Sequence, residues 1–215
     1  MKRIFLYVMT LLAVGMGQLQ AAAEVDQQSF VILSEQAQSA VPKQAGVITV
    51  TEFFSFGCPW CYKIEKELTK WRSKLPKNVK FSRVPVVFER GWDVYAKAYY
   101  TAEILGISNR VAHNLFNAIQ EKEQKLNTNQ AMADYFIKKG VDPKIAKSAF
   151  FSSPTVDSRV RAGMQLMQLY QIRAVPAFVI NGKYLVNVAA MKGDTEKLFH
   201  VLSFLVAREL ATTLP

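Results

Sequence analysis

The chain of 215 residues contains only two cysteines, Cys58 and Cys61, separated by two residues. A disulfide between them would close too short a loop to constrain the unfolded chain much. A metal site would need a second pair of ligands, and His113 and His200 lie far away in sequence and are not spaced like a ligand pair. The spacing favours redox chemistry, with a structural disulfide and a metal site shared across a dimer as the alternatives.

The segments that flank the two cysteines predict a strand that leads directly into a helix. Residues 47–56, VITVTEFFSF, are rich in β-branched and aromatic side chains and read as a buried central strand. From Pro59 to about Leu75, apolar residues recur at three- and four-residue spacing, which is typical of an amphipathic helix.

This placement predicts different roles for the two sulfur atoms. Cys58 would lie at the helix N-terminus, where free N–H groups and the positive end of the helix dipole favour a thiolate. Cys61 would lie one turn farther along and be more buried. We therefore expect Cys58 to react with substrate and Cys61 to resolve the mixed disulfide.

The remaining pattern predicts an α/β fold with a helical block between strands. A second strand is predicted at 79–88, a third at Val175–Ile180, and a hairpin turn at Asn181-Gly182. Residues 93–170 are helical in pattern, and a last helix is predicted to start at Asp194. The predicted helix caps within the block are Asp93, Ser108, Thr128, Asp142 and Ser153, with helices ending at Gly106, near Ile119 and at Gly140.

The N-terminal segment has the layout of a cleavable secretory signal. Lys2 and Arg3 precede an apolar run from Ile4 to about Met16, and small residues follow at Ala21 to Ala23. An uncleaved anchor is the alternative. No later stretch is apolar for long enough to span a bilayer, so an integral membrane protein is not expected. The predicted divisions are a signal peptide at 1–23, a first part of the main domain at 24–92, a helical insertion at 93–170 and a second part at 171–215.

The net charge of +10, or +8 without Lys2 and Arg3, does not indicate a nucleic-acid site. Basic residues are scattered and interleaved with acids, as in KIEKELTKWRSK, which is typical of a solvated helix face.

The stretch EFFSFGCPWCYKIE resembles the active-site region of the DsbA family of bacterial thiol-disulfide oxidoreductases. The resemblance extends over about residues 30–210 and includes LPKNVKFSRVPVVF, AYYTAEILGI, LFNAIQEK and IRAVPAFVINGKYLVN. It implies a thioredoxin fold with a helical domain inserted between the second and third core strands, after the CxxC helix. It also implies a periplasmic dithiol oxidase without bound cofactor or metal, which acts on reduced, unfolded exported proteins and is reoxidised by a quinone-linked membrane partner of the DsbB type.

The resemblance also assigns residues around the cysteines. Pro176, which by itself would be an ordinary first-strand proline, would form a cis peptide bond and face the cysteine pair. Val175 would offer its backbone to an extended substrate. Together with Pro59 and Trp60, these residues would form a groove for substrate and for the membrane partner.

Two charged residues are expected to tune the cysteine pKa values. By strand alternation Glu52 shares a face with Val50 and Phe54, although an exposed strand carboxylate is an equal alternative. In the family, a glutamate at this position pairs with a lysine on the next strand, where this chain has Arg83. Arginine keeps the charge but does not readily release a proton, so electrostatic balancing survives and a proton relay through the cation does not.

Between its cysteines this chain departs from the family pattern. Many DsbA proteins have Pro-His there, whereas this chain has Pro59-Trp60. An indole carries no positive charge, so we expect a less stabilised thiolate and a weaker oxidant. An isomerase or reductase on the same fold is the nearest alternative, although the two dozen residues before Val47 are too few for a typical dimerisation domain. A chaperone-like binding module, in which the disulfide is incidental, is an alternative from a different functional class. Exposed Phe56, Trp60 and Tyr62 would form an apolar patch, unless Phe56 and Tyr62 belong to the core.

Overall fold

The computed structural model describes residues 25–213, so the predicted signal segment lies outside the described residues. A five-stranded sheet forms the centre of the molecule, in the order β1-β5-β4-β2-β3. Among the strands of the described residues, β2 and β3 run parallel and the other neighbouring pairs are antiparallel. The strands are β1 (Val31–Ile32), β2 (Ile48–Phe54), β3 (Val79–Pro85), β4 (Ala177–Ile180) and β5 (Tyr184–Asn187).

Eight α-helices surround the sheet within the described residues. They are α1 (Glu35–Ser39), α2 (Pro59–Arg72), α3 (Trp92–Ile104), α4 (Ser108–Phe116), α5 (Asn129–Lys138), α6 (Pro143–Phe151), α7 (Pro154–Leu169) and α8 (Thr195–Thr213). Helices α3 to α7 lie between β3 and β4, which are the second and third of the longer strands. The predicted thioredoxin-like α/β fold with a helical insertion is therefore confirmed.

The alternation of side chains along β2 divides the core into two layers. Ile48 and Val50 point to the face covered by α2 and α8, where they belong to the same buried cluster as Ile64 and Leu202. Phe53 points to the opposite face, which is covered by the helical insertion. The insertion covers this second face only near the end of β2 that leads to the cysteines, because Phe53 is buried whereas Thr49 is exposed and Thr51 half-buried.

Three of the predicted caps begin the helices of the insertion as expected. The side-chain oxygens of Thr128, Asp142 and Ser153 accept backbone N–H groups in the first turns of α5, α6 and α7. In α6 and α7 a proline occupies the first helical position, where its missing N–H costs no hydrogen bond.

Two helix boundaries differ from prediction. Asp93 is not a cap, because α3 already begins at Trp92 and its N-cap is Gly91, at φ +87°. A Cβ at Gly91 would lie 2.8 Å from Cβ of Asn127, so both the backbone angle and the close approach favour glycine. The helix from Ser108 ends at Phe116 and continues as a π-helical turn, Asn117–Glu121.

The strands that carry the site were predicted with small errors at their ends. Pro85 ends β3, and the turn between β4 and β5 has Asn181 at φ 52° and Gly182 at φ 64°, as a two-residue hairpin requires. The two-residue strand β1 was not predicted, because two residues carry no measurable alternation. Over the described part of the chain, no helix combines the length and hydropathy that a membrane span needs.

Candidate active site

Cys58 lies at the junction between β2 and α2 and is the N-cap residue of the helix. Its Sγ accepts a hydrogen bond from the backbone N–H of Cys61 at 3.2 Å. The Cys61 thiol, followed by the N–H groups of Cys61 and Trp60, lowers the pKa of Cys58 below its usual value, although burial opposes this. The predicted helix-terminus effect is thus present around this sulfur.

Cys61 lies one turn farther along α2 and is fully buried. Burial is the main reason why its pKa is raised well above the usual value, and the neighbouring Cys58 adds to it. Both cysteines are free thiols in this structure. One sulfur is therefore prepared to be a thiolate, while the other holds its proton.

The loop that precedes β4 covers Cys58. The Val175–Pro176 peptide bond is cis, as the resemblance implied. The carbonyl oxygen of Val175 lies 3.5 Å from Sγ of Cys58, within hydrogen-bonding distance of its thiol. Two segments more than a hundred residues apart in sequence thus meet at one sulfur atom.

Trp60 forms a wall beside the cysteine pair. Pro59 is exposed, and Trp60 is 43% exposed. Lys63 places its Nζ 4.3 Å from the centroid of the Trp60 ring. On the loop between β5 and α8, a Cβ at Gly193 would lie 3.0 Å from Cη2 of Trp60, so the indole packs directly against that backbone.

Glu52 lies beneath the cysteines and is paired with Arg83 on the neighbouring strand. The two residues are directly opposite in the β2–β3 register, and Arg83 Nε donates to Glu52 Oε2 at 2.5 Å. Glu52 is fully buried, so the alternative of an exposed carboxylate is wrong and the expected pair is confirmed. Burial raises the pKa of Glu52, and the charge of Arg83 offsets only part of this effect.

Glu65 on α2 completes this charge cluster and was missed by the sequence analysis. Arg83 donates to both Glu65 oxygens, with Nη1 to Oε1 at 3.2 Å. Burial alone would lower the pKa of Arg83, but the two carboxylates raise it on balance. Glu65 follows Cys61 by four residues, so the helical period places both on one face, and this was the available signal.

The helical insertion supports the turn that leads to Cys58. Gln120, in the π-helical turn, donates from Nε2 to the carbonyl oxygen of Phe56 at 2.7 Å. Phe56 is buried, with its ring centroid 4.8 Å from that of Phe116, and Tyr62 is half-buried beside the same ring. Of the three predicted patch residues, only Trp60 is substantially exposed. No local pattern pointed to Gln120, because its contact crosses 64 residues.

Comparisons with known proteins agree with this geometry. A family model described as a DSBA-like thioredoxin domain matches residues 49–195. The thiol:disulfide interchange protein DsbA of Pseudomonas aeruginosa PAO1 is 35% identical over 174 residues, covering 80% of this chain and 82% of that protein. The DsbA of Burkholderia cepacia is 35% identical over 195 residues, covering 91% of this chain and 90% of that protein.

Solved structures show the same fold. The crystal structure of Pseudomonas aeruginosa DsbA matches with a TM-score of 0.76 and 34% identity, covering 86% of this chain and 93% of that chain. The oxidoreductase DsbA from Xylella fastidiosa matches with a TM-score of 0.74 and 30% identity, covering 85% of this chain and 96% of that chain. This chain therefore belongs to the DsbA family and is a thioredoxin-fold thiol:disulfide oxidoreductase with Cys58 and Cys61 as its CxxC pair.

Proposed function

We propose that this protein donates its Cys58–Cys61 disulfide to newly exported proteins. The observation that carries the proposal is the inequality of the two sulfurs, with the pKa of Cys58 lowered and that of buried Cys61 raised. Stabilising a thiolate at Cys58 stabilises the reduced form, and a more stable reduced form makes the disulfide more oxidising. The site therefore favours release of the disulfide to a substrate.

The reaction has two exchange steps. A substrate thiolate attacks Sγ of Cys58, the bond to Cys61 breaks, and Cys61 leaves as a thiolate that takes up a proton. A second substrate thiolate then attacks the substrate sulfur of the mixed disulfide, and Cys58 leaves as a thiolate. The substrate loses two electrons and gains a disulfide, while the enzyme gains two electrons and becomes a dithiol. Attack by Cys61 on Cys58 reverses the first step.

Substrate is proposed to bind along the cis-proline loop and the wall formed by Trp60. The carbonyl of Val175 lies 3.5 Å from Cys58, so an extended segment pairing with the backbone beside Pro176 would carry its cysteine to the reactive sulfur. Pro59 and Trp60, which directly follow Cys58 in the chain, are exposed. The quinone-linked membrane partner that reoxidises the dithiol is proposed to use the same groove.

Glu52 and Arg83 are proposed to tune the cysteine pair. The negative charge of Glu52 raises the pKa of both cysteines. Arg83 is held in place by Glu52 and Glu65. Its positive charge partly offsets that negative charge, and it does not release a proton.

The site of action is proposed to be the periplasm. The signal-like pattern at 1–23 and the disulfide chemistry both suit an oxidising, exported compartment. The divisions at 24–92, 93–170 and 171–215 are likewise proposed as parts of a single unit in which the insertion supports the CxxC turn.

The test is the reduction potential of the Cys58–Cys61 couple, measured by equilibrating the protein in graded glutathione buffers and trapping the thiols. We expect a potential nearer to about −120 mV, as in DsbA, than to about −270 mV, but lower than the DsbA value because Trp60 supplies no positive charge. A value near −270 mV, as in thioredoxin, would contradict donation and support the reductase or isomerase alternative. A variant with Cys58→Ser and Cys61→Ser should lose all turnover; unchanged suppression of aggregation by this variant would instead support a chaperone-like role.

A further inference from the structure

We propose that this enzyme prefers substrate cysteines flanked by acidic residues, because exposed cations without ion-pair partners lie on the three segments that meet at its reactive sulfur. This inference rests on the proposed function and specifies its substrate class. The cationic rim consists of Lys63, Lys192 and Arg173, all of which are exposed.

Each member of the cationic rim adjoins a residue of the site. Lys63 lies against the ring of Trp60 at 4.3 Å. Lys192 is bonded in sequence to Gly193, whose backbone contacts the same ring from the loop before α8. Arg173 lies two residues before Val175, whose carbonyl contacts Cys58. The three cations therefore lie on three segments of the chain that meet at Cys58 and Trp60.

The charges of the cationic rim are not neutralised by the protein. Within the described residues, none of the three side chains forms an ion pair. The nearest acid in sequence, Asp194, uses Oδ1 to accept the N–H of Lys197 at 2.9 Å as the cap of α8. Glu121, on the insertion side of the entrance, is a hydrogen-bond partner of Tyr62. Both carboxylates are thus engaged with partners other than the three cations.

A bound substrate would bring its neighbouring residues to these cations. In an extended segment successive side chains are about 3.3 Å apart along the chain and point to opposite sides. Residues one or two positions from the reacting cysteine therefore reach a few ångströms beyond Cys58, toward the segments that carry the cationic rim. An acidic side chain there would gain favourable interactions, and a basic one would be repelled.

The test uses three single-cysteine peptides that differ only in having Asp, Ser or Lys on both sides of the cysteine. The rate at which each forms a mixed disulfide with the oxidised enzyme is divided by its rate with hydroxyethyl disulfide, since flanking charges also change the reactivity of the peptide thiol. We expect the normalised Asp-to-Lys rate ratio to be about five to ten at low salt, as a few exposed charge pairs would produce. In about 1 M salt, where the Debye length is ~3 Å, the ratio should fall toward one.

Variants distinguish the rim from the overall positive charge. Lys63→Gln combined with Lys192→Asn should reduce the Asp-to-Lys ratio to about two; asparagine tolerates the left-handed backbone of Lys192 at φ 52°. The control is Lys147→Gln, an exposed lysine on α6, which should leave the ratio unchanged.

Each other outcome overturns the inference. A ratio near one for the wild type excludes the preference, and an equal reduction by Lys147→Gln assigns it to net charge. If none of the three peptides, including the Ser peptide, forms a mixed disulfide, the proposed function has failed. If the Ser peptide reacts but the Asp-to-Lys ratio is near one, that function stands and only the acidic preference is rejected.

Discussion

Trp60 determines what charge lies beside the thiolate of Cys58. Its indole offers an N–H donor and an apolar face, and the nearest cation on its ring is Lys63, at 4.3 Å. The hydrogen bonds that lower the pKa of Cys58 come from Cys61 and from the backbone of α2, not from the indole ring. The thiolate is thus stabilised by the helix terminus without the help of an imidazolium.

Replacing Trp60 with histidine should strengthen the oxidant. A partly protonated imidazole beside Cys58 would lower the pKa of that thiol by about one unit, which corresponds to a potential increase of ~30 mV. Thiolate absorbance across a pH titration and glutathione equilibration measure the two quantities. Trp60→Phe is the control, because it keeps an aromatic ring and adds no charge. Equal pKa values for Cys58 in the two variants would contradict the explanation.

Glu52 should give the protein a distinctive pH dependence of stability. In the folded state its pKa is raised above the ordinary value of 4.5. The protonated carboxyl therefore contributes stability that is fully present below pH 4.5 and is lost as the pH rises through the folded pKa. Glu52→Gln removes this loss. The variant should therefore gain stability relative to wild type as the pH increases across that interval, by ~1.4 kcal/mol for each unit of elevation.

Urea unfolding of the reduced proteins at a series of pH values measures this difference. The control is Glu67→Gln, which changes an exposed carboxylate on the same α2 helix. Parallel stability curves for wild type and Glu52→Gln would show that Glu52 has the same pKa in the folded and unfolded states. That result would contradict the proposal that Glu52 tunes the pKa values of the two cysteines.

At the scale of elements, polar caps fix where the helices of the insertion begin. Ser153 accepts the N–H of Val156 at 3.3 Å, and the helix that it begins contains Gly163. A Cβ at Gly163 would lie 2.9 Å from the Tyr100 hydroxyl and 3.1 Å from Val84, so α7 packs closely on α3 and β3. A correct start of α7 therefore matters for the packing of the insertion on the sheet.

Ser153→Ala should destabilise the protein by about 1 kcal/mol, since the N–H of Val156 would lose its acceptor. Denaturant unfolding monitored by circular dichroism gives this value. Ser158→Ala, at an exposed position inside α7, should be neutral or slightly stabilising because alanine is the better helix former. If both variants lose the same free energy, the cap is not the cause.

For the whole molecule, the redox state and the folding stability are linked. Folding stabilises the Cys58 thiolate, which exists only in the reduced protein. The free energy of unfolding is therefore larger for the reduced form than for the disulfide form. The reduction potential and the stability difference between the two forms then report the same free energy, with 30 mV corresponding to ~1.4 kcal/mol.

We therefore expect the reduced protein to unfold at a higher urea concentration than the oxidised protein. The difference should increase as the pH rises from below the lowered pKa of Cys58 toward its ordinary value of 9.0, because the unfolded thiol remains protonated there. Cys61 is protonated in both states over that range and cancels. A more stable oxidised form would contradict disulfide donation. The Cys58→Ser and Cys61→Ser double variant, measured with and without reductant, controls for effects of the buffer.

Much of this protein follows from local sequence. The β2–α2 junction, the caps at Thr128, Asp142 and Ser153, and the Asn181-Gly182 hairpin are each encoded within a few residues, because they depend on backbone geometry and periodicity. The reactive position of Cys58 followed from the same junction. Resemblance to the family then added the cis peptide bond at Pro176 and the pairing of Glu52 with Arg83.

Only the tertiary structure joined residues that are distant in the chain. It placed Glu65 on Arg83, Gln120 on the carbonyl of Phe56, and Gly193 against Trp60. It also buried Glu52, for which the alternation of β2 allowed either an exposed or a buried position. The chain determines its helices and strands through interactions a few residues long, whereas the charges and contacts around Cys58 depend on how these elements pack together.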